Sequence, residues 1–414
     1  MKKSPHLFIL FLGVFIASHV NVLGQDFENV YNDAVESLDI LLAEKALEQA
    51  TAPSELAKGH FLIGYLQYKE GKYFKSLDHY FTALANYRST GNYEMQASAL
   101  KNIGMIYERA NFYDQAVDFY TESKLLKMSL SDSEGTLETQ FYLAKVYRKS
   151  SNYENAIHIL GELLKQYKNL ESSPGMARVY NEMGLVHLAK EEYSTARKYY
   201  NLALDIDVPG KNAGRLVKSY NNIGHAYLQE SDYRNALDYF NQALAYYNEN
   251  NELNKVDNAL LFKNLGKVYD SLGSDSAVYF YEKSYDLNAF DETKEEYLDL
   301  CIQIKNAYWK KEDMEKAQYF SDQVDNIASN VYSLKQNLNQ LYVRYQVEAA
   351  TYKMERELKT SRLEAQLKQD FIIKCVLAVF LLLLIALIII VYRKNRRLSF
   401  IHSEAVKVYK VLNS

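Results

Sequence analysis

The sequence predicts an all-α protein: a solenoid of helix–turn–helix units, followed by a long helical stalk and one membrane-spanning helix. Two observations support this prediction. A set of small and aromatic residues recurs about every 40 residues through the middle of the chain. A nearly uncharged segment, Phe371 to Tyr392, follows near the C-terminus. The last glycine is Gly273, and nothing after it forces a helix to end. We therefore expect repeats first and then helix nearly to the end of the chain.

The repeat unit is clearest between Asn221 and Leu244, which reads as two short amphipathic helices. Apolar residues recur in each half at the spacing of one helix face. Ser231 and Asp232 between the halves are residue types that cap helix N-termini, so we expect the second helix to begin at Tyr233. Neither helix can bury its apolar face alone, so the unit needs neighbouring copies. The apolar positions are Ile223, Gly224, Tyr227, Ala236, Phe240 and Ala243.

Copies of this unit lie on both sides of it. A small residue would let two helix backbones approach closely, and an aromatic ring in the second helix would fill the wedge between them. The small residue recurs at Gly64, Gly104, Ala144, Gly184, Gly224 and Gly266, with Lys305 in the last copy. The second helices carry Tyr80, Tyr120, Leu160, Tyr200, Phe240 and Tyr281 in the aromatic position. One register is thus kept over six or seven copies.

This order of small and aromatic residues resembles the tetratricopeptide repeat (TPR) family. The resemblance covers about Lys58 to Ile327 and implies a right-handed superhelix of helix–turn–helix repeats. The period is longer than the usual 34 residues of the family, and is similar to the extended repeats of kinesin light chain and of bacterial peptide-sensing regulators. The whole arrangement resembles bacterial membrane-anchored TPR sensor-regulators, but without their cytoplasmic output domain.

The chain ends indicate export and a membrane anchor. Lys2 and Lys3 precede a short apolar run, which is typical of a cleaved secretory signal peptide; an uncleaved anchor is the alternative. The predicted segments are a signal peptide (1–24), a capping helix region (25–54), an array of about seven repeats (55–328), a helical stalk (329–370), a transmembrane helix (371–392) and a short basic tail (393–414).

The charges that flank the apolar segment predict its orientation. Lys374 is its one charged residue and lies one turn from the end, where its stem can extend outward. Four basic residues follow the segment at once, and the positive-inside rule places them in the cytoplasm. We therefore expect the bacterial inner membrane, with the repeats in the periplasm. The four basic residues are Arg393, Lys394, Arg396 and Arg397.

Within the stalk, Leu334, Leu338, Leu341 and Tyr345 follow the 4-3-4 spacing of a coiled-coil seam. Polar residues interrupt this stripe further along the stalk. A homodimer through the stalk and a solvated single helix both remain open at this point.

Composition and motifs exclude several classes of function. The net charge of −4 argues against nucleic-acid binding by the whole chain. Two isolated cysteines, Cys301 and Cys375, provide neither a disulfide pair nor a zinc site. Phosphate-binding loops and the common hydrolase motifs are missing, so we expect no enzyme, no cofactor and no metal.

The TPR resemblance implies that the first helices line a concave groove, and it assigns slots that face inward. These slots hold more basic than acidic residues, and three repeats carry Asn at the sixth position. Amide groups can pair with the backbone of an extended peptide, although an Asn that only bridges adjacent helices explains the pattern equally well. The candidate binding residues are Asn102, Asn221, Asn222, Asn264, His225, Lys101, Arg109, Lys145, Arg148, Lys149, Lys218, Lys263 and Lys267.

The sequence thus predicts a non-enzymatic receptor domain that binds a protein or an extended acidic peptide outside the inner membrane, as the sensory part of a signalling system. A passive scaffold that holds other envelope proteins together is the alternative from a different class.

Overall fold

The structure is a computed structural model, and it describes residues 27–210, 213–249, 255–287 and 295–412. These residues are helical throughout, with short turns and no strand. The predicted fold class, an all-α TPR solenoid, is confirmed. The predicted signal peptide lies outside the described residues.

Most helices have nearly the same length, about 17 residues, and three residues usually separate one from the next. This regularity produces the period seen in the sequence. The helices are α1 (27–37), α2 (Ile40–Gln49), α3 (Pro53–Lys69), α4 (Tyr73–Thr90), α5 (Tyr93–Arg109), α6 (Tyr113–Ser129), α7 (Ser133–Lys149), α8 (Tyr153–Asn169), α9 (Ser173–Ala189), α10 (Tyr193–Gly210), α11 (Ala213–Gln229), α12 (Tyr233–Glu249), α13 (Lys255–Ser271), α14 (Ser276–Asp286), α15 (Glu295–Lys310) and α16 (Met314–Leu412).

Consecutive helices pair into repeats. Repeat 1 is α3 with α4, repeat 2 is α5 with α6, and so on to repeat 6, which is α13 with α14. Repeat 7 is α15 with the first turns of α16, whose Ala317 and Phe320 join the core formed by repeats 6 and 7.

The predicted wedge between the two helices of a repeat is present. A Cβ added at Gly104 would lie 2.9 Å from the ring of Tyr120, and one at Gly184 would lie 2.4 Å from Tyr200. These positions therefore have no room for a methyl group unless the ring moves. In repeat 3 the small residue is Ala144, and the position opposite holds Leu160 instead of an aromatic residue. Alanine, which is larger than glycine, is thus matched by leucine, which is smaller than tyrosine.

Most of the described turns in the repeat array end the preceding helix in the same way, with one residue at a left-handed φ. In repeat 2, Asn111 has a left-handed φ of 62°, and the N–H of Phe112 donates to the carbonyl of Tyr107 at 2.9 Å, which is the Schellman pattern. In repeat 5, Asp232 caps α12, because its carboxylate accepts from the N–H of Asn235 at 3.2 Å. The prediction of Ser231 as a cap was wrong: its φ is 61°, and it ends the preceding helix.

Helix α16 is continuous from Met314 to Leu412. The chain divides into two compact units within this helix, between Tyr342 and Val343. Leu338, Leu341 and Tyr345 are each buried, so these three positions of the predicted seam are not free to join a second copy. The homodimer through the stalk stays a prediction for the residues beyond them.

The second unit contains the apolar segment. In the part of the chain that the structure describes, α16 is the one helix long and apolar enough to cross a membrane. Its most apolar window has a mean hydropathy of 3.4, and none of that window is buried.

Candidate peptide-binding groove

Four first helices, α5, α7, α11 and α13, carry all the predicted binding residues, and we call the surface that these residues form the groove face. Many of its cations form ion pairs with the next repeat. Lys101 contacts Glu138 at 2.9 Å, and Lys263 contacts Asp299 at 2.9 Å. In both pairs the lysine stands three residues before the small residue, and the carboxylate stands six residues before the next one. These lysines therefore connect adjacent repeats.

The most buried charged side chain in contact with the groove face is Glu108, which is 4% exposed. Its carboxylate lies 3.2 Å from the ammonium of Lys145 and 3.0 Å from that of Lys149, and the Tyr120 hydroxyl donates to it at 3.0 Å. Burial alone would raise the pKa of Glu108, but the two lysines outweigh it and lower the pKa to about 2. At neutral pH this carboxylate is ionised, and it forms ion pairs with both lysines.

Two predicted arginines also have partners within the chain. Arg148 donates from Nε to the carboxylate of Glu182 at 2.6 Å. Arg109 donates to the hydroxyl of Tyr73 at 3.0 Å and lies 5.0 Å from the ring centroid of Tyr68. Counting charges along the sequence therefore overstates how much positive charge is available to a ligand.

The asparagines connect neighbouring repeats. The amide of Asn264 donates to Asn221 at 3.0 Å, and that of Asn222 donates to Asn181 at 3.5 Å. Asn102 donates instead to the hydroxyl of Tyr80, at 3.1 Å. These bonds match the bridging alternative from the sequence. Because an amide has two N–H groups and an acceptor oxygen, each still has hydrogen-bonding capacity for a ligand.

His225 is a neutral member of the groove face. Burial lowers its pKa, and the charges of Lys267 and Lys263 add to the effect, so the pKa is about 4. Its Nε2 lies 3.0 Å from the side-chain nitrogen of Gln229. Lys267 contributes little free charge, because it lies 3.6 Å from Asp299, which it shares with Lys263.

An open cleft of about 420 Å³ lies across repeats 3, 4 and 5. The guanidinium of Arg178 lies 3.8 Å from the ring centroid of Phe141 and 6.0 Å from that of Tyr142. Lys218 lines the far side, on α11. The remaining lining residues are Lys145, Pro174, Asn181, Glu182, Leu185 and Arg215.

The cleft brings together only Lys145 and Lys218 of the predicted binding residues. Sequence reasoning did not single out Arg178, although it stands in an inward slot of repeat 4. Tyr142, in an inward slot of repeat 3, could have indicated its role, because an arginine one repeat after an aromatic residue can stack on that residue. In the described residues no group of three or more His, Cys, Asp or Glu side chains is placed to hold a metal ion.

Comparisons with known proteins agree with this geometry. The tetratricopeptide repeat profile matches residues 55–124, 132–208 and 209–289, which is more than half of the chain. The search of curated proteins found no match to this chain.

Several solved structures share the fold at low sequence identity. A Rap protein complexed with competence and sporulation factor is 14% identical, with 80% of this chain and 89% of that chain covered and a TM-score of 0.53. The quorum sensor NprR from B. thuringiensis, in its apo form, is 15% identical, with 72% and 85% covered and a TM-score of 0.54. A tetratricopeptide repeat protein from Parabacteroides merdae ATCC 43184 is 15% identical, with 68% and 99% covered and a TM-score of 0.53. The profile match over most of the helical array shows that the chain belongs to the tetratricopeptide repeat family.

Proposed function

We propose that this protein is a membrane-anchored TPR receptor that binds an extended segment of another protein in the cleft across repeats 3 to 5. The observation that carries the proposal is this cleft, which three consecutive first helices line. It combines aromatic rings, amides and cations on one surface, and such a mixture suits a polypeptide better than a small apolar ligand. The proposal is a binding role and not an enzymatic one.

The solved structures support this class of ligand. The Rap protein is seen in complex with competence and sporulation factor, a Rap conjugation gene regulator in complex with the Phr* peptide, and NprR is a quorum sensor. These facts concern those proteins. Their fold is shared here, and the cleft lies on the first helices that build that fold.

The charges of the cleft favour an acidic segment. The described residues include no carboxylate in an ion pair with Arg178 or Lys218, whereas the cations of repeats 2 and 6 on the groove face largely contact carboxylates or tyrosines. An acidic side chain placed between Arg178 and Lys218 would gain two favourable contacts. These charges would also speed encounter with an acidic partner and disfavour a basic one.

The membrane anchor gives the receptor its location. The apolar segment is long enough to span a bilayer, and the basic residues after it favour a cytoplasmic C-terminus. We propose the bacterial inner membrane, with the repeats in the periplasm and α16 passing to the cytoplasm as the sensory part of a signalling system. Protease added to cells with a permeabilised outer envelope should digest the repeats and leave a small C-terminal fragment. Protection of the repeats would contradict this orientation.

The binding test uses the full chain in detergent to capture proteins from envelope extract. We expect Arg178→Ala to reduce capture at least tenfold, because the charge of this arginine is held by aromatic rings and has no carboxylate partner among the described ion pairs. The double variant Asn222→Ala, Asn264→Ala should weaken binding by roughly 1–3 kcal/mol per amide that pairs with a buried peptide group. Asn201→Ala is the matched control, since Asn201 is exposed on a second helix. Unchanged capture by folded Arg178→Ala protein would rule out the cleft as the binding site.

A further inference from the structure

An aromatic stack recurs at the edge of the repeats. A residue near the end of the first helix stacks on a residue in the middle of the second. The pairs are Tyr107 with Phe119 at 5.3 Å, His187 with Tyr199 at 5.2 Å, Tyr227 with Tyr239 at 5.6 Å and Tyr269 with Phe280 at 5.1 Å, between ring centroids.

The stack of repeat 2 differs from those of repeats 4 to 6 in its burial. Tyr107 and Phe119 are 0% and 1% exposed, while both members of the other three pairs are only half-buried. Phe81 and Phe112 cover part of this stack, at centroid distances of 6.0 Å from Phe119 and 6.1 Å from Tyr107. The remaining covering ring is Tyr342 of α16. Its ring meets the edges of Tyr107 and Phe119 at centroid distances of 5.9 and 6.0 Å.

Two hydrogen bonds fix this contact. The Tyr342 hydroxyl donates to the carboxylate of Asp118 at 2.7 Å, and the Tyr107 hydroxyl donates to the carbonyl of Leu338 at 3.1 Å. We call the contact of Leu338 and Tyr342 with Tyr107, Asp118 and Phe119 the clasp.

The clasp is unusual for a solenoid. Repeats of this kind contact their sequence neighbours, so that stability spreads only from one repeat to the next. Here Tyr107 and Leu338 are separated by 231 positions. Repeats 2 to 7 and the first part of α16 therefore form a closed circuit of contacts, and the cleft across repeats 3 to 5 lies within that circuit.

We propose that the clasp is a releasable restraint that couples the cleft to α16. It concerns regulation of the proposed binding site and so rests on that function. A ligand that spans three repeats changes the angles between them, and in a closed circuit such a change strains the contact that closes it. By thermodynamic linkage this coupling is mutual: if ligand binding in the cleft weakens the clasp, a closed clasp weakens ligand binding by the same factor.

The chain itself shows what repeat 2 would look like after release. Among the described residues, the stacks of repeats 4 to 6 keep the same ring-on-ring geometry with ring contacts from their own repeats alone and none from α16. Release of Tyr342 would therefore leave a stack of a kind that the array already contains, and repeat 2 need not unfold. The helix that carries Tyr342 continues without interruption to the apolar segment, so release would free the part of α16 that leads to the membrane.

The first experiment measures amide hydrogen exchange on the full chain in detergent. Tyr342→Ala should raise exchange at least tenfold in α6 and in residues 334–342, while repeats 4 to 6 stay unchanged and show that the protein is folded. Tyr332→Ala is the matched control, since Tyr332 lies on the same helix and is 65% exposed. Unchanged exchange in α6 of Tyr342→Ala protein would show that α16 does not hold repeat 2.

The second experiment tests the coupling without any peptide. Leu185→Cys in a Cys375→Ser background is labelled with a bulky maleimide to fill the cleft; the remaining Cys301 is buried. Labelling should raise exchange in residues 334–342 at least threefold, while the same label at Lys198→Cys, outside the cleft, should not. Unchanged exchange after complete labelling of Leu185→Cys would overturn the coupling. Because no partner is captured in this assay, its outcome is separate from that of the binding test.

Discussion

Repeats 2 and 4 have the same architecture, but their surfaces serve different purposes. Both place a tyrosine of the second helix against a glycine of the first. In repeat 2 the Tyr120 hydroxyl donates to Glu108, which also contacts two lysines. In repeat 4 the Tyr200 hydroxyl is buried without a hydrogen-bond partner among the described residues, and Arg178 stacks on an aromatic ring of repeat 3 instead of meeting a carboxylate.

Their edges differ in the same sense. The edge stack of repeat 2 is covered by Tyr342, whereas that of repeat 4, His187 on Tyr199, is half-buried. Both sites of repeat 2 thus have partners elsewhere in the chain, whereas among the described residues repeat 4 leaves Arg178 exposed without a carboxylate and its edge stack without a ring from α16. The same slots in the sequence can therefore stabilise the array in one repeat and recognise a ligand in another.

The largest expected effect contrasts Glu108 with Arg178. Glu108→Ala removes a buried carboxylate shared by Lys145 and Lys149 and the acceptor of the Tyr120 hydroxyl, which should lower the free energy of unfolding by about 3–5 kcal/mol. Arg178→Ala removes a stacked, partly exposed cation and should lower it by less than about 1 kcal/mol. Urea denaturation of both variants measures the difference. Equal losses of stability would mean that the two repeats do not differ as described.

The second expected effect is on the pH dependence of stability. The pKa of Glu108 is about 2 in the folded protein, against 4.5 for an unperturbed glutamate. Its ionised form therefore stabilises the fold by about 3 kcal/mol above pH 4.5, and this contribution is lost as the pH falls from 4.5 towards 2. Glu108→Gln protein should lack this part of the acid dependence. Parallel curves for the two proteins between pH 5 and 3 would contradict the assigned pKa.

The smallest expected effect concerns the turns inside the two repeats. Glu191 and Asn111 occupy equivalent positions, each with a φ of 62°. This left-handed conformation costs Glu more than Asn, so Glu191→Gly should stabilise the protein by about 1 kcal/mol. Asn111→Gly should change stability by less, and it loses the hydrogen bond from the Tyr113 hydroxyl. Thermal unfolding resolves the two, and a gain for Asn111→Gly as large as that for Glu191→Gly would count against the argument.

The sequence allows the repeats and their wedges to be predicted, because volume complementarity between neighbouring helices is visible in residue types. Gly104 opposite Tyr120 and Ala144 opposite Leu160 are examples. The cap at Asp232 was also predictable from local chemistry. Ser231 was misassigned because capping and left-handed turn positions are adjacent, and serine occurs in both.

The groove face was only partly predictable. Its slots follow from the repeat, but whether a lysine is free depends on the angle between consecutive repeats, which brings Glu138 to Lys101 and Asp299 to Lys263. The clasp was not predictable at all, since periodic patterns report contacts between neighbours. Leu338 and Leu341 instead suggested a seam for a second copy, because an apolar stripe does not reveal which surface covers it.

The central claim is that the cleft across repeats 3 to 5 binds a polypeptide. The most direct test places a photo-crosslinking amino acid at Leu185 in the full chain, in the cells that make it, with the same group at Lys198 on the outer surface of repeat 4 as the control. After irradiation, the account predicts a covalent adduct with another polypeptide at position 185, and loss of that adduct when Arg178→Ala is added. An adduct at position 198 alone, or equal adducts at both positions regardless of Arg178, would contradict it.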